Sequence, residues 1–492
     1  MKNLLMILIA FTLAACGSGS SGGDTAQVPV VTTGGQSLTV TIPQIGGNSN
    51  ADNAVGFSSN AWKDGAITQA VISDVGPKTM RWPEGMTGNK IHFNKNNPAI
   101  FDIGIHDPNA HFLNFVTRIP NTWTTQPEFD FDEFVAKTKA AGAEPVVIIG
   151  IQAIYAKNGT DNMTRAQVIQ AAVDFVRYAN ITKGYGVKYW EIGNEDDLEM
   201  RNTGILQSQF YDLYAGIFNE IAPLLKAVDP TIKLGANAMS FMDANCWNKL
   251  IPLVKNNAGF LVAHNYSFFK NTQYNEWHPN EAGWDWVAEV TKATAGINNN
   301  PGSPLSLFVT ELSSYNVDEW GASNTNSTWK GLHNIQMNLE ALRQPYTKAV
   351  MGWTSRWDDD ASKAYNLFSP SYGLTSMGWS FPAISKHLYN NLGPKVAASS
   401  APVTMWVSHN DTKNKMSVFL LNRGQSSAND IAITINAYTG SYANEKWVYA
   451  GSTPLSTDAT LTKVASQSVT GNTFNVNLPP LSVTVIDFNT PG

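Results

Sequence analysis

Between residues 54 and 354 short apolar, β-branched runs alternate with longer segments whose apolar residues recur at helical spacing, and this rhythm restricts the fold more than any other feature. The runs that read as strands are 54–58, 79–82, 145–151, 188–192, 233–236, 260–265, 307–310 and 350–354, eight in all. Segments 130–141, 165–182, 206–228, 284–294 and 328–343 read as helices between them. Asp130, Asp132 and Glu133 put negative charge at one helix start, and Gly142 supplies the positive φ that ends it. A strand that returns through a helix lies parallel to its predecessor, so eight such units predict a closed (β/α)8 barrel over residues 49–392.

The pattern changes after about residue 390. Segments 403–408, 415–421, 430–435, 447–450, 473–478 and 482–488 are short alternating strands between turn residues, which predicts an antiparallel β-sandwich over 393–492. Residues 37–42 also alternate with period two. Because they precede the barrel, the segment 37–48 is expected to pair with the C-terminal sheet.

Residues 1–15 carry Lys2 and an apolar run over 4–13, which reads as a signal peptide too short to span a bilayer in the mature protein. Leu13-Ala14-Ala15-Cys16-Gly17 resembles a bacterial lipobox, which implies a lipidated Cys16 and a cell-envelope protein, with an outer-membrane lipoprotein expected and a secreted or periplasmic protein the alternative. The Gly/Ser-rich segment 16–36 would then be a flexible tether, and the lipid the sole membrane contact. Cys246 is the second of two cysteines, so no disulfide framework is possible once Cys16 is modified. The net charge of −6 lacks a basic patch to offset it and argues against a nucleic-acid partner. Charged residues make up 15% of the chain and aromatic ones 11%, a balance that suits neutral ligands with apolar faces, such as sugars.

In a barrel the reactive groups sit where strands end. Val187-Lys188-Tyr189-Trp190-Glu191-Ile192-Gly193-Asn194-Glu195 runs from a buried strand into a polar turn, and Leu307-Phe308-Val309-Thr310-Glu311 does the same at the seventh strand. Two facing carboxyl groups fit glycosidic cleavage, in which one protonates the leaving oxygen and the other, ionised, meets the anomeric carbon. Glu191 has the parity of Glu195 but lies about 13 Å deeper at ~3.3 Å per residue, so it reads as a structural acid.

Trp190-Glu191-Ile192-Gly193-Asn194-Glu195 resembles the fourth-strand signature of the clan A retaining glycoside hydrolases, and Thr310-Glu311 resembles their seventh-strand nucleophile. The flanking sandwich is similar to that of the arabinofuranosidase, xylosidase and agarase-type families. The resemblance implies Glu195 as general acid/base, Glu311 as nucleophile, Asn194 on the sugar hydroxyl beside the reacting carbon, and Arg81 as support for the nucleophile. It places His264 and Tyr266 at the sixth strand, near the nucleophile, and Trp353 as an aromatic floor for a sugar. Trp357, Trp82 and Trp123 are further subsite candidates, and Arg356, Arg118 and Lys90 are candidates to meet sulfate or carboxylate groups. The chain departs from the arabinofuranosidase pattern in Arg81-Trp82-Pro83-Glu84-Gly85 and in Leu312-Ser313, which leaves the sugar open.

The expected substrate is a plant or algal polysaccharide or oligosaccharide, with no cofactor; the histidines lack metal-ligand spacing, so no metal is expected. A glycan-binding lipoprotein without catalysis is the alternative, and a metal-dependent barrel hydrolase a third.

Overall fold

The computed structural model describes residues 37–41, 48–49, 55–61, 63–93, 101–103, 129–155, 164–237, 245–267, 274–279, 285–302, 305–314, 326–356, 366–398, 402–436, 441–466 and 469–489. Cys16, Arg118, Trp123 and Trp357 lie outside these residues, as does the Lys90 side chain. Among the described residues no helix is long and apolar enough to cross a membrane.

Eight parallel strands close into a barrel in chain order: β1 (Val55–Ser58), β2 (Thr79–Trp82), β3 (Glu144–Ile149), β4 (Tyr189–Ile192), β5 (Lys233–Asn237), β6 (Phe260–Tyr266), β7 (Ser306–Ser313) and β8 (Thr347–Gly352). Pairing of Val350 with Val55 shuts the ring. Helices Gln69–Val75, Phe131–Ala140, Arg165–Val176, Phe210–Val228, Cys246–Val254, Ala288–Asn298 and Thr328–Arg343 follow β1 to β7 in turn. The helix expected over 284–294 starts later, at Ala288. Asp285 takes the Val287 N–H at 3.1 Å, and Asn265 at the end of β6 accepts the Glu289 N–H at 3.3 Å, so a turn replaces the first helical residues.

Residues of one parity on the strands, such as Val147, Trp190, Leu234, Leu261 and Val309, pack outward against the helices in one large core. The opposite parity fills the barrel interior: Val146, Phe260, Val262, Phe308, Ala349 and Met351 form an apolar plug, with the Phe260 and Phe308 rings 4.5 Å apart. A Cβ on Gly235 would come within 2.3 Å of the Phe260 ring, so that close approach requires glycine. Trp82 belongs to the outward set, which corrects its assignment as a sugar subsite. It is 2% exposed, donates Nε1–H to the Phe129 carbonyl at 2.9 Å, and packs on Phe131 and Phe134.

The C-terminal strands form a large sheet that includes β9 (Val403–His409), β10 (Lys415–Asn422), β11 (Ser441–Ala450), β12 (Thr460–Val464) and β13 (Ser482–Asn489), facing a small sheet in which Ala428–Asn436 is central. Ser37–Thr41 joins the small sheet beside Ala428–Asn436, in parallel rather than antiparallel register. Asn48–Ser49 and Asn391–Leu392 extend the large sheet on the other side of the sequence. The central strands of the large sheet are buried on both faces. Met405, Val407, Val418 and Leu420 pack toward the small sheet, whereas Trp406, Phe419, Leu421, Val483 and Val485 join the barrel core. Helix Thr328–Arg343 is caught between barrel and sheet, so Lys330, His333, Asn334, Gln336 and Asn338 are buried along with its apolar residues. Tyr449 reaches across to the Ser376 carbonyl at 2.9 Å, and its hydroxyl would lie 1.9 Å from a Cβ on Gly331.

Asp64, in the loop after β1, ties that loop to the one after β8. Its Oδ2 accepts from the Asn60 N–H at 2.7 Å and from Ser355 Oγ. Burial pushes its carboxyl up to about 7, against hydrogen bonds from Ser355 and Asn60 and the charges of Arg356 and Lys137. A folded-state value above the unfolded one means stability that is complete below about pH 4 and lost as the pH rises toward 7. Asp64→Asn keeps the acceptor without the charge. It is expected to gain on the order of 2 kcal/mol at pH 8 and nothing at pH 4, read from urea unfolding at both pH values.

Candidate active site

Above the apolar plug the inward positions turn polar. Arg81 on β2, Glu191 on β4, Asn237 on β5 and His264 and Tyr266 on β6 continue the inward parity of Thr79, Tyr189, Gly235 and Val262. Strand β7 breaks the rule. Alternation from Phe308 would send Thr310 inward and Glu311 outward, but the pairing slips by one residue, so that Ala263 faces Val309 and His264 faces Glu311. On the other side the register against β8 also shifts between Val309 and Leu312. A bulge of this kind re-aims a side chain, and here it turns Glu311 into the barrel mouth. Glu311 therefore lies within β7, which runs on to Ser313, rather than at its end.

Arg81 is the hub. Its Nε and Nη2 donate to both oxygens of Glu191 at 2.8 and 2.7 Å, Nη1 donates to Glu311 Oε1 at 2.8 Å, and Nη2 also reaches Asn194 Oδ1 at 2.6 Å. Burial opposes the guanidinium charge, but Glu191 and Glu311 outweigh it and hold Arg81 protonated. Glu191 is thus a structural acid, yet one arginine away from Glu311 instead of remote from the site; depth along the strand ignores the length of the arginine that spans it.

The remaining oxygen of Glu311, Oε2, accepts the Tyr266 phenol, and His264 Nδ1 lies 3.6 Å from it. Burial alone would raise the Glu311 carboxyl; the His264 and Arg81 charges, with the Tyr266 and Arg81 hydrogen bonds, bring it below the usual carboxylate range. Burial and the Glu311 charge push the Tyr266 phenol well up, so it stays a donor. His264 Nδ1 is 2.7 Å from Glu195 Oε1. Burial works against its protonation, but Glu311 and Glu195 raise it overall. Glu195, His264 and Glu311 each present one atom, all within 4.8 Å of one another.

Near enough to hold a small cation, these atoms are poorly suited to it. Both Glu311 oxygens already face donors, Arg81 and Tyr266, and a guanidinium at 2.8 Å repels a metal ion. The donor set fits proton and carboxylate chemistry.

Asn194 is 2% exposed, and its Nδ2 is buried without a partner among the described residues, a donor left over beside Glu311. Trp353, 9% exposed, meets the Tyr266 ring edge-on at 6.1 Å. Arg356, a candidate for substrate, is instead held by the fold: it donates Nη1 to the Pro370 carbonyl at 2.9 Å and Nη2 to the Lys63 carbonyl at 2.6 Å, and stacks over Tyr372 at 5.0 Å. An arginine with its fork committed to main-chain carbonyls has little left for a ligand, which corrects that assignment.

Four residues of the site escaped sequence reasoning: Gly85, Asn89, Asn237 and, as the partner of Arg81, Glu191. Gly85 follows β2, and a Cβ there would lie 2.6 Å from Glu311 Oε1 and 3.5 Å from Asn194 Nδ2. Only its place directly after Arg81-Trp82-Pro83-Glu84 marked it. Gly85→Ala should displace the Glu311 carboxylate and lower turnover on the order of 10²-fold, the scale of an ångström misplacement, while thermal unfolding stays close to that of the parent protein.

The fold and the paired carboxylates define the class: an eightfold α/β barrel with two acids at its mouth, one in the turn after β4 and one at the bulge in β7, joined to a β-sandwich. Solved structures with this architecture include the α-L-arabinofuranosidase from Thermotoga maritima in complex with arabinose (14% identity, TM-score 0.65, 92% of this chain and 100% of that one). A family 51 α-L-arabinofuranosidase from Bifidobacterium longum is as similar, at 14% identity and TM-score 0.65 over 93% of this chain and 100% of that one. A family 44 xyloglucanase from Paenibacillus polymyxa matches at 11% identity and TM-score 0.63 over 93% of this chain and 100% of its own. The fold is therefore that of these clan A glycoside hydrolases. No family model matches the chain, and no curated protein matches it either.

Proposed function

We propose that this protein is a glycoside hydrolase that cleaves its substrate by double displacement with retention at the anomeric carbon. The observation that carries it is the proximity of Glu195 and Glu311, each with an oxygen within 4.8 Å of the other and of His264. That separation is close to the ~5–5.5 Å of retaining pairs and short of the ~6.5–9.5 Å that leaves room for water in inverting ones.

Glu311, ionised against Arg81 and Tyr266, attacks the anomeric carbon while Glu195 protonates the leaving oxygen. Formation of the ester removes the charge on Glu311, and Glu195, now ionised, takes a proton from water that displaces the enzyme. Asn194 Nδ2 donates to the neighbouring sugar hydroxyl, and Trp353 offers an apolar face to the ring. A buried carboxylate held below its usual range by His264 and Arg81, with a second carboxyl beside it, favours catalysis over binding alone.

The substrate is a plant or algal polysaccharide or an oligosaccharide from one, a reading supported by the likeness to proteins described as arabinofuranosidases and a xyloglucanase. The lipobox-like Leu13-Ala14-Ala15-Cys16 supports a lipid anchor in the bacterial cell envelope.

Glu195→Ala tests the assignment. On a panel of aryl furanosides and pyranosides, it should lose on the order of 10²–10⁴-fold in kcat/KM for poor leaving groups and little for 2,4-dinitrophenolate. Azide should then restore turnover and yield a glycosyl azide with the anomeric configuration of the substrate. An azide of opposite configuration, or activity like the parent's on every leaving group, defeats the proposal.

A further inference from the structure

The turn that carries Glu195 is held from two sides by asparagines that the proposed chemistry does not use. Gly193 and Glu195 both have left-handed φ, 76° and 47°. Glycine adopts this freely, but glutamate does so rarely, so surrounding contacts must hold it there. A Cβ on Gly193 would fall 2.0 Å from Asp196 Oδ2, which shows how tightly the turn is folded on itself.

On one side stands Asn237, the last residue of β5. Its Oδ1 accepts the Glu195 N–H at 3.3 Å, and its Nδ2 donates to Glu191 Oε1 at 2.7 Å. Its own N–H donates to Tyr214 OH at 2.7 Å, and that hydroxyl donates to the Ile192 carbonyl at 2.7 Å. On the other side stands Asn89, between β2 and β3. Its Nδ2 donates to the Asn194 carbonyl and to Asp196 Oδ1, both at 2.9 Å, while its Oδ1 accepts the Ile151 N–H at 2.9 Å. Asn89 is 1% exposed and Asn237 2%. Each side chain therefore has both its donor and its acceptor engaged, and each bridges the Asn194–Asp196 turn to a neighbouring part of the barrel.

We propose that Asn89 and Asn237 form a clamp that keeps Glu195 in its left-handed conformation and so aims its carboxyl at the leaving oxygen. They are positioning residues; neither touches the sugar. The kinetic consequence rests on the two-carboxylate reading above, but the geometric one does not. Without the clamp the Glu195 backbone relaxes toward negative φ and carries its carboxyl away from His264 Nδ1. Glu311 stays in place, because Arg81 and Tyr266 hold it from other strands.

The test uses Asn89→Ala, Asn237→Ala and the double variant. With phenyl and 2,4-dinitrophenyl glycosides of a sugar the parent enzyme cleaves, kcat/KM should fall on the order of 10²-fold for the phenyl glycoside and less than about threefold for the dinitrophenyl one. Equal losses on both, which a merely structural role would give, or no loss on either, overturn the clamp. Crystal structures of the variants supply a readout that needs no activity: Glu195 leaving the left-handed region upholds the clamp, and Glu195 staying near 47° overturns it. If the parent enzyme cleaves no glycoside, the proposed reaction fails while the crystallographic result still decides the clamp. Asn89→Ala alone carries the test where removal of Asn237, which also supports Glu191, prevents folding.

Discussion

Glu311→Ala is expected to yield a folded protein whose glycoside turnover is lower on the order of 10⁶-fold, the scale of loss when a covalent nucleophile is removed. No neighbouring group can take over. Glu191 has both oxygens engaged by Arg81, and Glu195 Oε1 is engaged by His264 Nδ1. The fold should survive, because Arg81 keeps its bidentate partner Glu191 when Glu311 is gone. Formate supplied as an external nucleophile should restore part of the rate on an activated aryl glycoside. Activity above about one per cent of the parent's, without added nucleophile, would remove Glu311 from the mechanism.

Arg81→Ala should instead damage the fold. Glu191 is fully buried and Glu311 is 4% exposed, and both pair with this one guanidinium. Breaking a buried ion pair from one side leaves an uncompensated charge, at a cost of about 3–5 kcal/mol. Denaturant unfolding at pH 7 should show a loss of that size. The deficit should shrink as the pH falls, because the stranded carboxylates take up protons that the unfolded chain does not yet bind. Arg81→Met combined with Glu191→Leu should regain stability by replacing the Arg81–Glu191 pair with apolar groups of similar volume, and should regain no activity, since Glu311 Oε1 then loses the Arg81 donor that positions it. A double variant as unstable as Arg81→Ala alone would mean that packing, not charge, dominates at Arg81.

The barrel was legible because each of its strands is buried on both faces and bounded by turn residues, so eight apolar runs stood out from the helical segments. The sandwich was legible as strands but not in its surroundings. Segment 403–408 reads as an alternating strand with one face to solvent, yet every residue of Val403–His409 is buried, because the barrel covers the face that water would otherwise wet. The same packing buries Lys330 and Gln336 on a helix whose pattern marks those positions as exposed. Arg356 misled for a related reason: its place in the chain, three residues after Trp353, gives no sign that the Pro370 and Lys63 carbonyls would claim it.

By itself the sequence determined which residues could meet at the mouth of the barrel. Strand order, with the resemblance of residues 190–195 and of Thr310-Glu311 to the clan A glycoside hydrolases, brought Arg81, Glu195, His264, Tyr266 and Glu311 forward as a group, although parity alone would have turned Glu311 outward. Tertiary structure decided how they face one another. The register slip that turns Glu311 inward arises from pairing between β6, β7 and β8, and the left-handed turn at Glu195 is fixed by Asn89 and Asn237 from elsewhere in the chain. Periodicity describes one strand at a time, whereas the direction of a catalytic side chain is set by hydrogen bonds to strands and loops up to 230 residues away, as between Arg81 and Glu311.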